Sequence, residues 1–352
     1  WLLRVPRGRA CLADRCHAQW MRKRGTAMQH VPLSQNFGHP QNYTFDARTP
    51  PVLRVRQGEE FTAEVQDTYN GVLRENPALF QPADMAPYTE RQPFWYNPVC
   101  GPIYVEGAEK GDVLGVHILE ICGLTAGSVA TVPRAHHFAG LRGWEEVDEP
   151  FTGVVTNREQ RCSFEYGGRH YSWIARPFLG TIATAPEYEV LATLPTSFGS
   201  IMAAGGNLDC CAVAPGATVY LQSMNDGGLL YFGDMHASQG DGELCGVANE
   251  VSGVVRLRCS VLKRHWLRNV RIENDESLIS VYCYRPVEEA MRQAVRDLIL
   301  WLERDYGLAR RESYLLMSMC PDFHLRTYQM CSGLGRLMTT VGAEFPRHLL
   351  TG

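Results

Sequence analysis

Between residues 50 and 284 the chain is a succession of short apolar runs, rich in Val, Ile, Thr and aromatic residues and separated by Gly, Pro, Asn and Asp. That is the pattern of strands joined by turns. Residues 52–67 show it most clearly. On either side of Gln57 and Gly58, Leu53, Val55, Phe61, Ala63 and Val65 fall on one parity, with Thr62, Glu64 and Gln66 on the other. Each flank therefore predicts a strand with one face turned to a core. Three segments repeat one local design, a glycine turn that opens a strand. They are Gln57-Gly58 before residues 59–65, Lys110-Gly111-Asp112 before 113–119, and Pro215-Gly216 before 217–221. Glycine supplies the positive φ of the turn and the β-branched run supplies the strand. Residues 254–258 and 278–284 read as further strands. The expectation is a mainly β fold, a β-barrel or β-sandwich, with a small C-terminal helical element.

The period changes after Tyr284. Pro286 stands where a first-turn proline belongs, and Val287, Ala290, Met291, Ala294, Leu298, Trp301 and Leu302 form a stripe at helical spacing. Gly307 fits the C′ position, and residues 311–319 read as a second, shorter helix. The stripe suits core packing against the β region. Three parts are thus expected: an extension over 1–27, a mainly β region over 28–285, and a helical and loop segment over 286–352. The extension holds six arginines, one lysine and one acidic residue and lacks the apolar core of a secretory signal. It is expected to be disordered or non-native, with Met28 as a candidate start and a mitochondrial targeting role as the alternative.

Composition narrows the partners. A formal net charge of −4 and a pI near 6.3 give no footprint for nucleic acid. Hydrophobic and charged contents of 45% and 20% are those of a soluble globular protein. No run approaches the ~18 apolar residues of a membrane span. The twelve cysteines are scattered, include the adjacent Cys210 and Cys211, and form no CxxC pair. A zinc finger is excluded on that spacing, and a reduced, cytoplasmic setting is expected.

The chemistry concentrates in GDMHASQGDGE, residues 233–243, and GGNLD, residues 205–209. Together they place Asp209, Asp234, His236, Gln239, Asp241 and Glu243 in two glycine-bracketed segments, expected as loops or strand ends. Gathering so many acceptors is costly unless a cation or a reacting proton compensates.

These strings, with EVQDTYNG (64–71), NPVCGPIYVEGAEKGDVL (97–114), RPFLGTIATAPE (176–187) and PGATVYL (215–221), make the chain similar to the acetamidase/formamidase family over residues 52–325. It departs from the family pattern at Ala204, where a polar residue often precedes GGN, at Cys320, Pro321, Asp322 and Phe323, where an aliphatic-Gly-Asp string is usual, and over 131–143, with Arg134, His136 and His137. The resemblance implies hydrolysis of a short linear amide, of the formamide or acetamide type, to a carboxylate and ammonia. It also implies a homodimer or larger homo-oligomer, no organic cofactor, and a divalent metal, zinc first and calcium, manganese or iron as alternatives.

Amide hydrolysis needs a nucleophile, an electrophile for the oxyanion and a proton for the leaving nitrogen. A metal-activated water serves the first two. Asp209, Asp234 and His236 are the candidate ligands, with Asp67 as a fourth; Asp234 and His236, one residue apart, share a face on an extended segment. Glu106 and Glu243 are rival general bases, and Asn207 is a candidate donor to the substrate carbonyl. The plainer alternative makes Asp234 and Asp241 turn formers and the two glutamates loop-holding carboxylates. Gln239 either orients the substrate or closes its loop. Cys210 and Cys211 lack a histidine partner in sequence, and Ser197 and Ser200 lie in no GxSxG elbow. Phe94, Trp95, Tyr96 and Tyr104 would shape a wider pocket, which keeps hydrolysis of a cyclic or larger amide such as a lactam as a second reading. A non-catalytic metal-binding β-protein is the third.

Overall fold

The computed structural model describes residues 28–33, 43–71, 73, 97–131, 144–148, 151–158, 160–192, 202–330 and 338–350. The extension 1–27, the aromatic group Phe94, Trp95 and Tyr96, the segment with Arg134, His136 and His137, and Ser197 and Ser200 lie outside them.

The strands, in chain order, are β1 (Gln29–Val31), β2 (Thr44–Phe45), β3 (Leu53–Val55), β4 (Glu60–Val65), β5 (Val99–Val105), β6 (Val113–Cys122), β7 (Gly127–Thr131), β8 (Phe151–Arg158), β9 (Arg161–Tyr166), β10 (Arg169–Ile174), β11 (Phe178–Thr184), β12 (Val190–Leu191), β13 (Gly205–Asn207), β14 (Thr218–Gln222), β15 (Leu230–Ser238), β16 (Asn249–Glu250), β17 (Gly253–Leu262), β18 (Val270–Glu273), β19 (Ser277–Tyr284), β20 (His324–Gln329) and β21 (Thr339–Pro346). Nine form one sheet in the order β1-β4-β17-β6-β14-β18-β19-β21-β20. Ten form a second, β10-β9-β8-β7-β16-β15-β11-β13, with β5 pairing β15 and β3 pairing β5. The short β2 and β12 pair with each other.

The two large sheets face one another. Phe61, Val116, Val255 and Leu257 of the first meet Ile103, Leu179, Ile182 and Phe232 of the second in one buried cluster, and the rings of Phe61 and Phe232 lie 6.5 Å apart across the gap. Burying each such side chain contributes about 1.5–3 kcal/mol. Of the two architectures expected, the described residues form the sandwich; no closed barrel is found among them. The glycine turns at 58, 111 and 216 have φ of 78°, 93° and 92°. One turns out to be a corner. Residues 53–65 do not fold back as a hairpin: β3 joins β5 in one sheet and β4 joins β1 and β17 in the other.

Helix α1 (Val287–Tyr306) and helix α2 (Arg310–Met319) cover the end of the first sheet. Ala290, Ala294, Leu298, Trp301 and Leu302 pack with Leu278, Val341, Ala343 and Phe345 of β19 and β21, as the stripe predicts. Gly307 ends α1 with φ 72°. Among the described residues, no helix is long and apolar enough to cross a membrane. Eight described cysteines are free, but Cys122 is disulfide-bonded, so the chain is not wholly thiol as its scattered cysteines suggest.

The strand that positions the site is β15, between β11, β5 and β16. Its parity switches midway. Leu230 and Phe232 face the inter-sheet core, and so do Met235 and Ala237. Even positions point inward before Asp234 and odd positions after it. The switch is made at Asp234, whose φ of 55° lies in the left-handed region.

Candidate metal centre and active site

The parity switch on β15 turns Asp234 and His236 away from the apolar core to a place where other acceptors gather. Asp209 follows β13, Glu243 follows β15, and Glu250 lies on β16 directly opposite His236. Asp209, Asp234, His236, Glu243 and Glu250 are all buried. Ligand atoms of Asp234, His236 and Glu250 lie within 4.8 Å of one another, and so do those of Asp209, His236 and Glu243. Asp209 and Glu243 also have left-handed backbones, with φ of 48° and 44°. Three of five site residues thus hold a conformation that costs of order 1–3 kcal/mol each. Such strain persists where the surroundings over-determine it, and function is the usual reason. Gly180 on β11 forms the floor. A Cβ there would stand 2.8 Å from Asp234 Oδ2 and 2.9 Å from Asp209 Oδ1.

Hydrogen bonds fix the imidazole. Gln239 Nε2 donates to the carbonyls of Asp209 and Tyr328 at 2.9 and 2.8 Å. Its Oε1 is therefore the atom 2.9 Å from His236 Nδ1, which must donate the proton. In the neutral ring Nε2 is left with its lone pair, 3.3 Å from Asp234 Oδ1 and 3.3 Å from Glu250 Oε1. The other oxygen of Asp234 accepts from Asn97 Nδ2 at 3.1 Å. Thr181, whose hydroxyl donates to Asn207 Oδ1 at 2.9 Å, ties Asn207 to the same network. Glu250 Oε1 accepts from the Ala248 amide at 2.9 Å. Phe178 stands edge-on to the imidazole at 4.9 Å.

After these bonds, Asp234 Oδ1, His236 Nε2 and Glu250 Oε2 are buried with no hydrogen-bond partner. A buried polar atom left unsatisfied costs about 1–3 kcal/mol. The donor set, one imidazole nitrogen among carboxylate oxygens, is one that divalent cations take. The residues fit a metal. The electrostatics agree. Burial raises the Glu243 carboxyl well above the usual carboxylate range, reinforced by Asp209. Burial raises Glu250 too, against the pull of His236. Burial would depress the imidazole, yet Glu250 and Asp234 push His236 well above its ordinary value. Negative charge is in excess.

Six residues singled out from sequence, Asp209, Asp234, His236, Gln239, Glu243 and Asn207, meet here. Asp67 belongs to neither ligand group; its Oδ1 accepts from the amides of Tyr69 and Gly71 at 2.9 and 2.8 Å, the bonding of a turn former. Glu106 is exposed in the turn after β5. Val99, at the other end of that strand, pairs with Gly233, which leaves Glu106 roughly 23 Å of strand from the cluster. Tyr104 packs under the guanidinium of Arg54 near that far end and shapes no pocket here. Asp241 is half-exposed and pairs with Arg326. Burial pushes the Cys210 thiol well above its ordinary value and Cys211 up to about 11, so neither is a thiolate nucleophile at neutral pH. Glu250 is absent from the sequence reading. Its one signal there is a lone charge in an otherwise uncharged run, VANEVSGVV.

The chain matches the Acetamidase/Formamidase family model over residues 32–204 and 199–275. An acetamidase of Mycolicibacterium smegmatis is 24% identical over 84% of this chain and 89% of its own length. A formamidase of Methylophilus methylotrophus is 28% identical over 61% of this chain and 62% of its own. The crystal structure of an acetamidase from Yersinia enterocolitica superposes with a TM-score of 0.76 at 28% identity, covering 94% of both chains. Motif order, fold and matched span agree, and the chain belongs to the acetamidase/formamidase family.

Proposed function

We propose that this protein is an amidohydrolase that cleaves the C–N bond of a short linear amide, with a divalent metal held by Asp234, His236 and Glu250 and with Asp209 as the fourth ligand. One observation carries the metal: the ligand atoms of Asp234, His236 and Glu250 converge within 4.8 Å, and Asp234 Oδ1, His236 Nε2 and Glu250 Oε2 are buried without hydrogen-bond partners. A cation held there would lower the pKa of a bound water to about 7, polarise the amide carbonyl and offset the repulsion among the carboxylates. Zinc suits a mixed imidazole and carboxylate set best.

Glu243 is the proton carrier. It stands within the Asp209 and His236 group, and Glu106 is far off along β5. It takes a proton from the attacking water and delivers one to the departing nitrogen as the C–O bond forms and the C–N bond breaks. The products are a carboxylate and ammonia. Asn207, its Oδ1 anchored by Thr181, presents its amide nitrogen as donor to the carbonyl oxygen. Gln239 holds the tautomer that makes Nε2 a ligand.

Ammonia release from formamide, acetamide and larger linear amides, with ring-opening of lactams followed alongside, tests the activity. The expected result is turnover confined to the short linear amides. Metal analysis tests the ligands: Glu250→Gln should lose the ion and turnover together, and full occupancy in that variant would remove the assignment. Glu243→Gln should retain the metal but lose turnover by about 10²–10⁴-fold, the range of general acid–base catalysis.

A further inference from the structure

We propose that Cys320, Asp322 and His348 form a second metal site, on the surface, suited to zinc and sharing no residue with the buried cluster. A sulfur, a carboxylate oxygen and an imidazole nitrogen from these three side chains lie within 4.8 Å of one another. Asp322 Oδ2 and His348 Nε2 are 3.6 Å apart, with both side chains more than half exposed. Zinc, a borderline ion, takes thiolate, imidazole and carboxylate ligands alike, and three protein ligands leave one position open for water. The buried cluster offers nitrogen and oxygen alone, so the two sites differ in chemistry.

The fold holds these ligands in place. Cys320 caps the C-terminus of α2, its amide donating to the Leu316 carbonyl at 2.9 Å, and the Phe323 amide closes the following turn on the Cys320 carbonyl at 3.2 Å. Asp322 sits inside that turn. His348 belongs to the short 3-10 turn Arg347–Leu350 after β21. The Arg347 amide pins that turn to the Glu276 carbonyl at 2.8 Å. Phe323, Leu349 and Leu350 pack on one apolar bed with Leu302 and Phe345, so both ligand-bearing segments are anchored to the same layer. The C-terminal end of a helix carries partial negative charge, which favours a cation beside Cys320. The site also falls on the segment where the sequence departs from the family pattern. Strand β20 begins beside Asp322 and reaches the buried centre only at Tyr328, whose carbonyl accepts from Gln239. Roughly 13 Å of strand separates the two sites.

Cobalt provides the test, since only a sulfur ligand gives a thiolate-to-cobalt charge-transfer band. The full chain, stripped with a chelator, is titrated with Co²⁺ while absorption and bound metal are followed. The expected result is a charge-transfer band that grows with one equivalent of metal. Cys320→Ser should abolish the band and that equivalent while amide hydrolysis is unchanged. His348→Ala, which trims an exposed side chain, should weaken the band's apparent affinity by at least about tenfold. Asp234→Asn, which disables the buried centre, should leave the band intact, so failure of one site is not mistaken for failure of the other. No band in the wild-type chain, or a band that survives Cys320→Ser, overturns the proposal.

Discussion

At position 180 a single methyl group would collide with both carboxylates that bracket the centre, at 2.8 and 2.9 Å. Gly180 sits in an ordinary strand conformation, so its lack of a side chain serves clearance. The methyl would also stand 3.1 Å from the Asp234 carbonyl oxygen, so Gly180→Ala should fold with reduced stability as the two side chains and that backbone give way. Hydrolysis should fall on the order of 10²-fold, the usual consequence of moving a reacting group by about 1 Å. A variant with wild-type kcat/KM would show that the two carboxylates do not need their present positions. Gln239 is the second residue to test, since its amide fixes the His236 ring through three bonds of 2.8 to 2.9 Å. Gln239→Leu keeps the volume and frees the tautomer. Metal affinity should weaken by about 10–100-fold, as for other partners that orient ligating histidines, and competition with a coloured chelator reads it directly.

At the scale of elements, the decisive feature is the reversal of parity on β15. Asp234 has φ 55°, and Leu179 and Ile182 on the neighbouring β11 show a matching switch about Gly180 and Thr181. A regular strand would have put Asp234 and His236 into the apolar core beside Phe232. The position therefore needs a residue tolerant of the left-handed region and, on the proposed metal, a ligand as well, and the two demands separate in variants. Asp234→Asn and Asp234→Gly should both lose metal yet unfold at similar temperatures, whereas Asp234→Ala should be less stable than either by about 1 kcal/mol. The turn that opens β6 makes a different prediction. Asp112 is buried, and its carboxylate accepts from Lys263 Nζ at 2.9 Å and from the amides of Arg264 and Glu109 at 2.9 and 2.8 Å. Burial alone would raise its pKa, but these donors win and hold it below 3.8. A depressed folded value means stability present above the unfolded value and lost as pH falls through the folded one. Asp112→Asn should thus be less stable than wild type at neutral pH, by about 1.5–3 kcal/mol, and the gap should close only in acid below 3.8. A gap independent of pH would sink the ionic account. Much at this scale was legible beforehand. The glycine turns, strand alternation, helical stripe and its Gly307 end follow from local rules. What local rules miss is pairing. Glu250 enters the centre because β16 lies opposite His236, and Glu106 leaves it because β5 runs the other way from Gly233. Neither follows from spacing in sequence.

For the molecule as a whole, the centre is a cost of folding that the proposed metal would offset. Asp209, Asp234, Glu243 and Glu250 bring four carboxylates into one buried volume with a single imidazole. Burial, with the neighbouring carboxylates adding to it, raises the Glu243 and Glu250 carboxyls, so charging all four without a cation is unfavourable. Stability should therefore track metal concentration, gaining about 2.7 kcal/mol at one hundred times the dissociation constant. A chain of this length would show that as a melting temperature several degrees higher than in chelator. The measurement belongs in a Cys320→Ser background, so that metal at the surface does not contribute. The sharper consequence concerns Glu250→Gln. It removes one of the crowded charges and one ligand at once, so in chelator it should melt above the parent, and with metal present it should melt below it. The two stability curves cross. That crossing distinguishes a centre built around a cation from one held by internal hydrogen bonds, where removing Glu250 would lower the melting temperature in both conditions.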